Sequence, residues 1–199
     1  MSRRPKVAGI ILAAGASTRM GRSKQLLPFR GQTILEGVVD NALAASLHRV
    51  IVVLGHEAQT LAARLAGRNL TIVQNPHYAQ GQSTSLQAGL QALSEESDAA
   101  LFLLGDKPLI TPATMDLLLA AYAATPSPIV LPVFAGKRGN PVLFDRETFA
   151  AIATITEDCG ARNLFDHYAG RLLKIPVADP SIHFDSDTED DYHRLVQNS

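Results

Sequence analysis

Leu12-Ala-Ala-Gly-Ala-Ser-Thr-Arg-Met-Gly-Arg-Ser-Lys-Gln-Leu-Leu-Pro-Phe29 follows directly on the apolar run Val7-Ala-Gly-Ile-Ile-Leu12. The stretch carries Arg19, Arg22 and Lys24, two glycines and no acid. A short continuous apolar run suits a parallel strand covered on both faces. Gly15, Ala16 and Ser17 then let backbone N–H groups approach a ligand closely, because their side chains are small. Successive exposed N–H groups make an anion nest, and the three cations strengthen it. A polyphosphate fits that combination; a solvated basic loop is the plainer alternative. Walker A is excluded, because five residues separate Gly15 from Gly21 and Lys24 comes three after Gly21. The GxGxxG fingerprint is absent too, so this is a phosphate loop of another kind.

Working outward, the same kind of run recurs at Val50-Ile-Val-Val-Leu54, Ala99-Ala-Leu-Phe-Leu-Leu104 and Ile129-Val-Leu-Pro-Val133. Leu70-Thr-Ile-Val73 and Pro141-Val-Leu-Phe144 are shorter candidates. Pro132 cannot donate to a ladder, which predicts an edge strand or a strand end. Helices fall between the strands. Thr33-Ile-Leu-Glu36 is a capping box opening a helix to about Ala45. Glu57–Leu65 and Thr84–Leu93 follow, and Thr111-Pro112 is an N-cap with an N1 proline before Ala113–Ala123. Thr188 and the acids after it open a C-terminal helix. The alternation predicts one α/β domain over residues 1–199, a doubly wound, mostly parallel sheet with helices on both faces. Ligands of such sheets sit outside the carboxyl ends of the strands. The loops after Leu12, Leu54, Leu104 and Phe144 are therefore where chemistry is expected.

Bulk composition narrows the class. A chain of 199 residues can bury roughly 70% of its unfolded surface. Its net charge of −1 gives no electrostatic case for nucleic acid or a membrane surface. Tryptophan is absent, which argues against a base-stacking platform. Cys159 is the single cysteine, so an intrachain disulfide or cysteine zinc site is excluded, and no histidines stand at HExxH spacing. The apolar run after Ser2-Arg3-Arg4-Pro5-Lys6 is only about eight residues and runs into the glycine loop, so a strand is the better reading than a signal segment, and no run reaches the ~18 residues of a membrane span. A cytoplasmic protein is the default expectation.

Gly105-Asp106-Lys107-Pro108 closes the Ala99–Leu104 run. An acid at a strand's carboxyl end, facing a basic loop, suits Mg²⁺ shared with phosphates, since that ion prefers one or two carboxylates plus phosphate oxygens. Gly81-Gln-Ser-Thr-Ser-Leu86 offers hydroxyls and free N–H groups at a helix start. Asn75 ends the strand before it. Gly55-His56 follows another strand end and reads as a turn. Cys159 has no adjacent base and reads as a bystander.

The long loop, Leu12-Ala-Ala-Gly-Ala-Ser-Thr-Arg-Met-Gly21 with Lys24 and Pro28, closely resembles the LAAGxSxRMGxxKxxLP signature of the MobA/MocA-like nucleotidyltransferases. Within them the chain is most similar to the molybdenum cofactor cytidylyltransferase branch. Asp185-Ser-Asp-Thr188 with Glu189-Asp-Asp191 resembles the family's DxDTPEDL, with Glu189 in place of Pro. Gly139-Asn-Pro-Val-Leu resembles GxPVL, with Asn140 where His is frequent, and Glu157-Asp-Cys-Gly-Ala-Arg162 resembles GDxGAR. The likeness runs from Val7 to about Leu195.

The resemblance implies transfer of a nucleotidyl group from an NTP to the phosphate of a pterin such as molybdopterin, with pyrophosphate released. The loop, with Leu12, Ala13, Ala14, Gly15 and Ser17, would wrap the triphosphate. Arg19 would hold the β- and γ-phosphates, and Lys24 would neutralise the α-phosphate under attack. Asp106 and Asp187 would hold Mg²⁺, with Asp185 the alternative second ligand. Ser85, Gln82 and Ser83 would meet base and ribose. Asn140, Pro141 and Arg162 would meet the acceptor. The guanylyltransferase branch typically reads LAGG, so the extra methyl of Ala14 narrows the base pocket and favours CTP over GTP. A phosphate nucleophile is already anionic, which agrees with the lack of an evident His–Asp or Ser–His pair. A sugar or polyol phosphate acceptor, or a non-catalytic accessory protein serving a molybdoenzyme, are the rival readings.

Overall fold

The computed structural model describes residues 3–17, 20–156 and 162–197. In chain order the strands and α-helices are β1 (Val7–Ala13), β2 (Pro28–Phe29), β3 (Gln32–Thr33), α1 (Ile34–Ala44), β4 (Arg49–Leu54), α2 (Ala58–Arg64), β5 (Thr71–Gln74), α3 (Gln82–Gln91) and β6 (Ala99–Leu104). The second half adds α4 (Pro112–Ala124), β7 (Ile129–Phe134), β8 (Lys137–Arg138), β9 (Val142–Asp145), α5 (Phe149–Ala153), α6 (Arg162–His167), β10 (Leu172–Pro176) and α7 (Glu189–Gln197). The main sheet runs β10-β7-β9-β6-β1-β4-β5, with β8 paired to the outer end of β7. β1 lies parallel between β4 and β6. The fold is the expected α/β sheet, mostly parallel and covered by helices on both faces.

The apolar runs make central strands because both of their faces are buried. Val7, Ile11 and Ala13 of β1 point to the side packed by α1, α2 and α4. Ile10 points to the other, with Leu86 of α3, Ile152 of α5 and Leu164 of α6. Ile10 and Ile11 are both fully buried, and burying such a side chain stabilises by about 1.5–3 kcal/mol. β4 alternates likewise, Val52 and Leu54 on one side, Ile51 and Val53 on the other.

Local signals set the helix starts. Thr33 Oγ1 accepts from the Glu36 N–H at 3.3 Å, and Glu36 accepts from the Thr33 N–H at 2.9 Å, completing the capping box of α1. Thr111 accepts from the Thr114 N–H at 3.2 Å, with Pro112 at N1 of α4. Thr188 and Asp191 exchange the same pair of contacts before α7, at 3.2 Å and 3.0 Å.

Two expectations are corrected. β7 is not an edge strand, because β10 flanks one side of it. On the other side β9 pairs only Ile129 and Val130, and β8 only Val133 and Phe134. Pro132 sits in the gap between those two ladders, where a missing donor costs little. Also, β9 runs antiparallel to β6 and β7. The loop after Phe144 therefore lies at the opposite edge of the sheet, where the Arg146 N–H donates to Asp98 O at 2.9 Å. The segment before β9, Gly139 to Pro141, reaches the carboxyl ends of the parallel strands instead. Among the described residues, no helix is long and apolar enough to cross a membrane.

Candidate active site

Two close approaches shape the rim where β1, β4 and β6 end. A Cβ on Gly105 would stand 2.7 Å from the Ala13 methyl and 3.0 Å from the Leu12 carbonyl. A Cβ on Gly55 would meet Tyr78 at 2.6 Å and the Ala14 carbonyl at 2.8 Å. Glycine at both positions lets the strand ends lie side by side. The His56 N–H donates to Ala14 O at 3.0 Å, which fits its reading as a turn residue.

The basic loop is organised from within by Gln25, which is 3% exposed. Its Oε1 accepts from Ser17 Oγ at 3.3 Å and Ser23 Oγ at 3.1 Å, and its Nε2 donates to Gly15 O at 3.5 Å. Ser17 stands at φ 51°, and its hydroxyl accepts from the Lys24 N–H at 3.2 Å. The Ser17 hydroxyl thus ties the loop together. Gln25 has no signal in the sequence apart from being polar within an apolar stretch.

Lys24 Nζ donates to the Asp106 carboxylate and, at 2.8 Å, to Asp187 Oδ1. Burial by itself would lower the Lys24 pKa, but the Asp106 and Asp187 carboxylates outweigh it and hold the pKa above its ordinary value. Lys24 is therefore a fixed cation and not a base. Two further contacts brace this point. Ser186, fully buried, donates to the Asp106 carbonyl at 2.8 Å. The Lys107 ammonium, also buried, donates to Phe184 O at 2.7 Å and pairs with Asp185 at 2.9 Å. The two candidate second ligands thus part company: Asp187 converges with Asp106, while Asp185 pairs with Lys107. Nothing in the residue pattern around Lys107 marks it as buried.

Two carboxylates meeting beside an anion nest are a hard-oxygen donor set of the kind Mg²⁺ takes with phosphate oxygens. Among the described residues, no group of three or more His, Cys, Asp or Glu makes a self-contained metal cage. The residues thus fit a cation shared with a substrate phosphate.

These groups line a cleft of about 800 Å³. Leu12, Ala14, Gly15 and Ala16 form one wall, and Lys24, Asp106, Asp185 and Asp187 another. Tyr78, Gln80, Gly81, Gln82 and Ser85 close the third. Tyr78, whose ring is tilted against His56 at 6.1 Å, is a wall residue that the sequence did not mark. Ser85 Oγ accepts from Asn75 Nδ2 at 3.0 Å, so Asn75 braces this wall from behind. Ser83 is buried and is not part of the wall, and Ala13 packs into the core. A second cavity of about 340 Å³ adjoins the cleft through Leu12, Gln82 and Leu104. Asn140 lines it with Arg138 and Phe165; Pro141, joined to Asn140 by a cis peptide bond, is buried beneath. Arg19 lies outside the described residues, as do Glu157 to Ala161 with Cys159. Arg162 opens α6, but its side chain is outside them too.

The model of the MobA-like NTP transferase domain matches residues 9–172. The chain belongs to that family. The matched span takes in the basic loop, Asp106 and the whole of both cavities' strand framework. This MobA-like protein is 34% identical over 204 residues to nicotine blue oxidoreductase of Paenarthrobacter nicotinovorans, covering 96% of this chain and 97% of the relative. It is 33% identical over 187 residues to the molybdenum cofactor cytidylyltransferase of Escherichia coli, covering 92% of each. The solved structure of Rv0371c from Mycobacterium tuberculosis in complex with manganese superposes with a TM-score of 0.84 at 30% identity, over 98% of this chain and all of that one.

Proposed function

We propose that the protein transfers the nucleotidyl group of CTP to the phosphate of a molybdopterin-type acceptor and releases pyrophosphate. One observation carries this reading: the loop cation Lys24 and the distant carboxylates Asp106 and Asp187 converge in one cleft, which the Gly15-Ala16 loop after β1 also lines. Such a transfer needs positioning and charge neutralisation rather than covalent chemistry, and the cleft is built of those parts. The backbone of Gly15 and Ala16 faces the triphosphate. Lys24 balances charge at the α-phosphate, joined by Arg19 at the outer phosphates. Asp106 and Asp187 would hold a divalent cation, Mg²⁺ or Mn²⁺, and such a cation would supply charge neutralisation at the phosphates. Manganese in the complex of a 30% identical neighbour supports a cation of this type.

CTP is favoured over GTP by Ala14, a residue of the cleft wall larger than glycine by one methyl. The cytidylyltransferase relative at 33% identity supports the same base and a pterin acceptor. Gln82 and Ser85 would meet base and ribose, and Asn140 the acceptor. A cytoplasmic location suits such an enzyme. The relative named nicotine blue oxidoreductase favours a second reading, reduction of a heteroaromatic compound in the same cleft. The basic loop and paired aspartates favour nucleotidyl transfer, since hydride transfer calls for neither.

The deciding experiment is a panel of the four NTPs with Mg²⁺ or Mn²⁺ and phosphorylated acceptors, following pyrophosphate, with NADH and NADPH oxidation measured in parallel. CTP-dependent pyrophosphate release that requires a pterin phosphate supports the proposal. Oxidation of reduced nicotinamide without pyrophosphate release overturns it.

A further inference from the structure

The second cavity has a character of its own. Its lining sets three aromatic rings beside the polar Gln82, Arg138 and Asn140: Phe102 and Phe144 meet edge to face at 5.7 Å, and Phe165 follows Phe144 at 6.3 Å. At its mouth the Arg138 guanidinium lies over the Phe165 ring, 4.3 Å from the centroid. Among the described residues, no carboxylate lies within ion-pair distance of Arg138. Arg138 stands on β8, which pairs with β7 through a tight turn whose residues Ala135 and Gly136 are both left-handed, at φ 49° and 76°. That turn geometry matches strand twist, so the hairpin holds the guanidinium on a stiff support.

We infer that Arg138 and Phe165 form a specificity pair that selects a flat, conjugated heterocycle bearing an anionic group. This rests on the proposed function only in taking the second cavity as the acceptor side. A cation with no acidic partner among the described residues, set against an aromatic face at the mouth of a concave site, attracts anions and stacks on planar π-systems. The three rings supply apolar area that a sugar ring, hydroxylated on both faces, would desolvate at a cost. The shared wall of Leu12, Gln82 and Leu104 sets such a ligand next to the nucleotide cleft.

The test is fluorescence titration of the full chain with pterin-6-carboxylate, beside ribose 5-phosphate measured by calorimetry. The wild type is expected to bind the pterin more tightly than the sugar phosphate. Arg138→Gln and Phe165→Leu should each weaken the pterin about tenfold or more, and Arg138→Lys by less. CTP affinity with Mn²⁺ should stay within about twofold in all three, which checks that they are folded. Equal binding of ribose 5-phosphate, or pterin affinity unchanged in Arg138→Gln and Phe165→Leu, overturns the inference. Arg138-dependent pterin binding without any pyrophosphate release supports this pair while counting against the proposed function. Pterin-dependent turnover with binding indifferent to Arg138 does the reverse.

Discussion

The Lys24 ammonium and the Asp187 carboxylate stand 163 residues apart in the chain and 2.8 Å apart in space. Asp106, from a third segment, completes the contact. Lys24→Ala and Asp106→Asn are expected to cut turnover by about 10²–10³-fold each, the scale seen when one charge-stabilising group is removed from an active site. Circular dichroism should remain that of the native protein. Near-normal pyrophosphate release by both variants would contradict the roles given to these residues.

Lys107 acts through its neighbours. Its ammonium holds Phe184 O and Asp185, and so steadies the segment that carries Asp187. Lys107→Met should cost about 1–3 kcal/mol, because it leaves a carbonyl without its donor. Mn²⁺ affinity, read by electron paramagnetic resonance with CTP present, should fall as well. Asp185→Ala should have the smaller effect on both, since the Lys107–Phe184 contact survives. Equal Mn²⁺ affinity in wild type and Lys107→Met would remove Lys107 from the account.

How far the sequence could be read depends on which interaction decided each feature. The parallel strands were legible because burial on both faces leaves an unbroken apolar run, as in Val50 to Leu54. The helix starts were legible because Thr33 and Thr111 cap locally. The direction of β9 was not, since four apolar residues look alike in either sense and the pairing partner decides. Asp185 and Asp187 stand two residues apart and are of one type, so only the distant Lys107 and Lys24 tell them apart. Gln25 holds a variable position of the loop motif, and Tyr78, Arg138 and Phe165 sit in no long motif; their roles come from tertiary neighbours. The phosphate loop was the most legible part of the site, because its backbone chemistry lies in consecutive residues.

The capping box of α1 makes a pH prediction. Burial pushes the Glu36 pKa up, but hydrogen bonds from Thr33 and the charges of Arg68 and Arg64 outweigh it, so the net shift is downward from 4.5. A lowered folded-state pKa contributes stability that is present above the unfolded value and lost as pH falls through the folded one. Glu36→Gln should therefore lower the thermal midpoint at pH 7 and lose less of it between pH about 5 and 3 than the wild type does. Thr33→Ala should cost about 0.5–2 kcal/mol. Parallel acid profiles for wild type and Glu36→Gln would contradict this.

Ala14 is 4% exposed and lines the cleft proposed to take the nucleotide. Removing a methyl from a binding wall changes discrimination by about 10-fold or more. Ala14→Gly is expected to shift the ratio of kcat/KM for CTP over GTP toward GTP by that order. An unchanged ratio would move base selection to another residue.

The central claim is nucleotidyl transfer at the cleft built by Lys24, Asp106 and Asp187. It is tested most directly by following isotope from CTP labelled at the α- or the γ-phosphate, in the presence of a phosphorylated pterin and Mg²⁺. The account predicts that the α label passes into the pterin product and the γ label leaves in pyrophosphate. The γ label appearing in the acceptor, or no label moving although CTP binds, would contradict it.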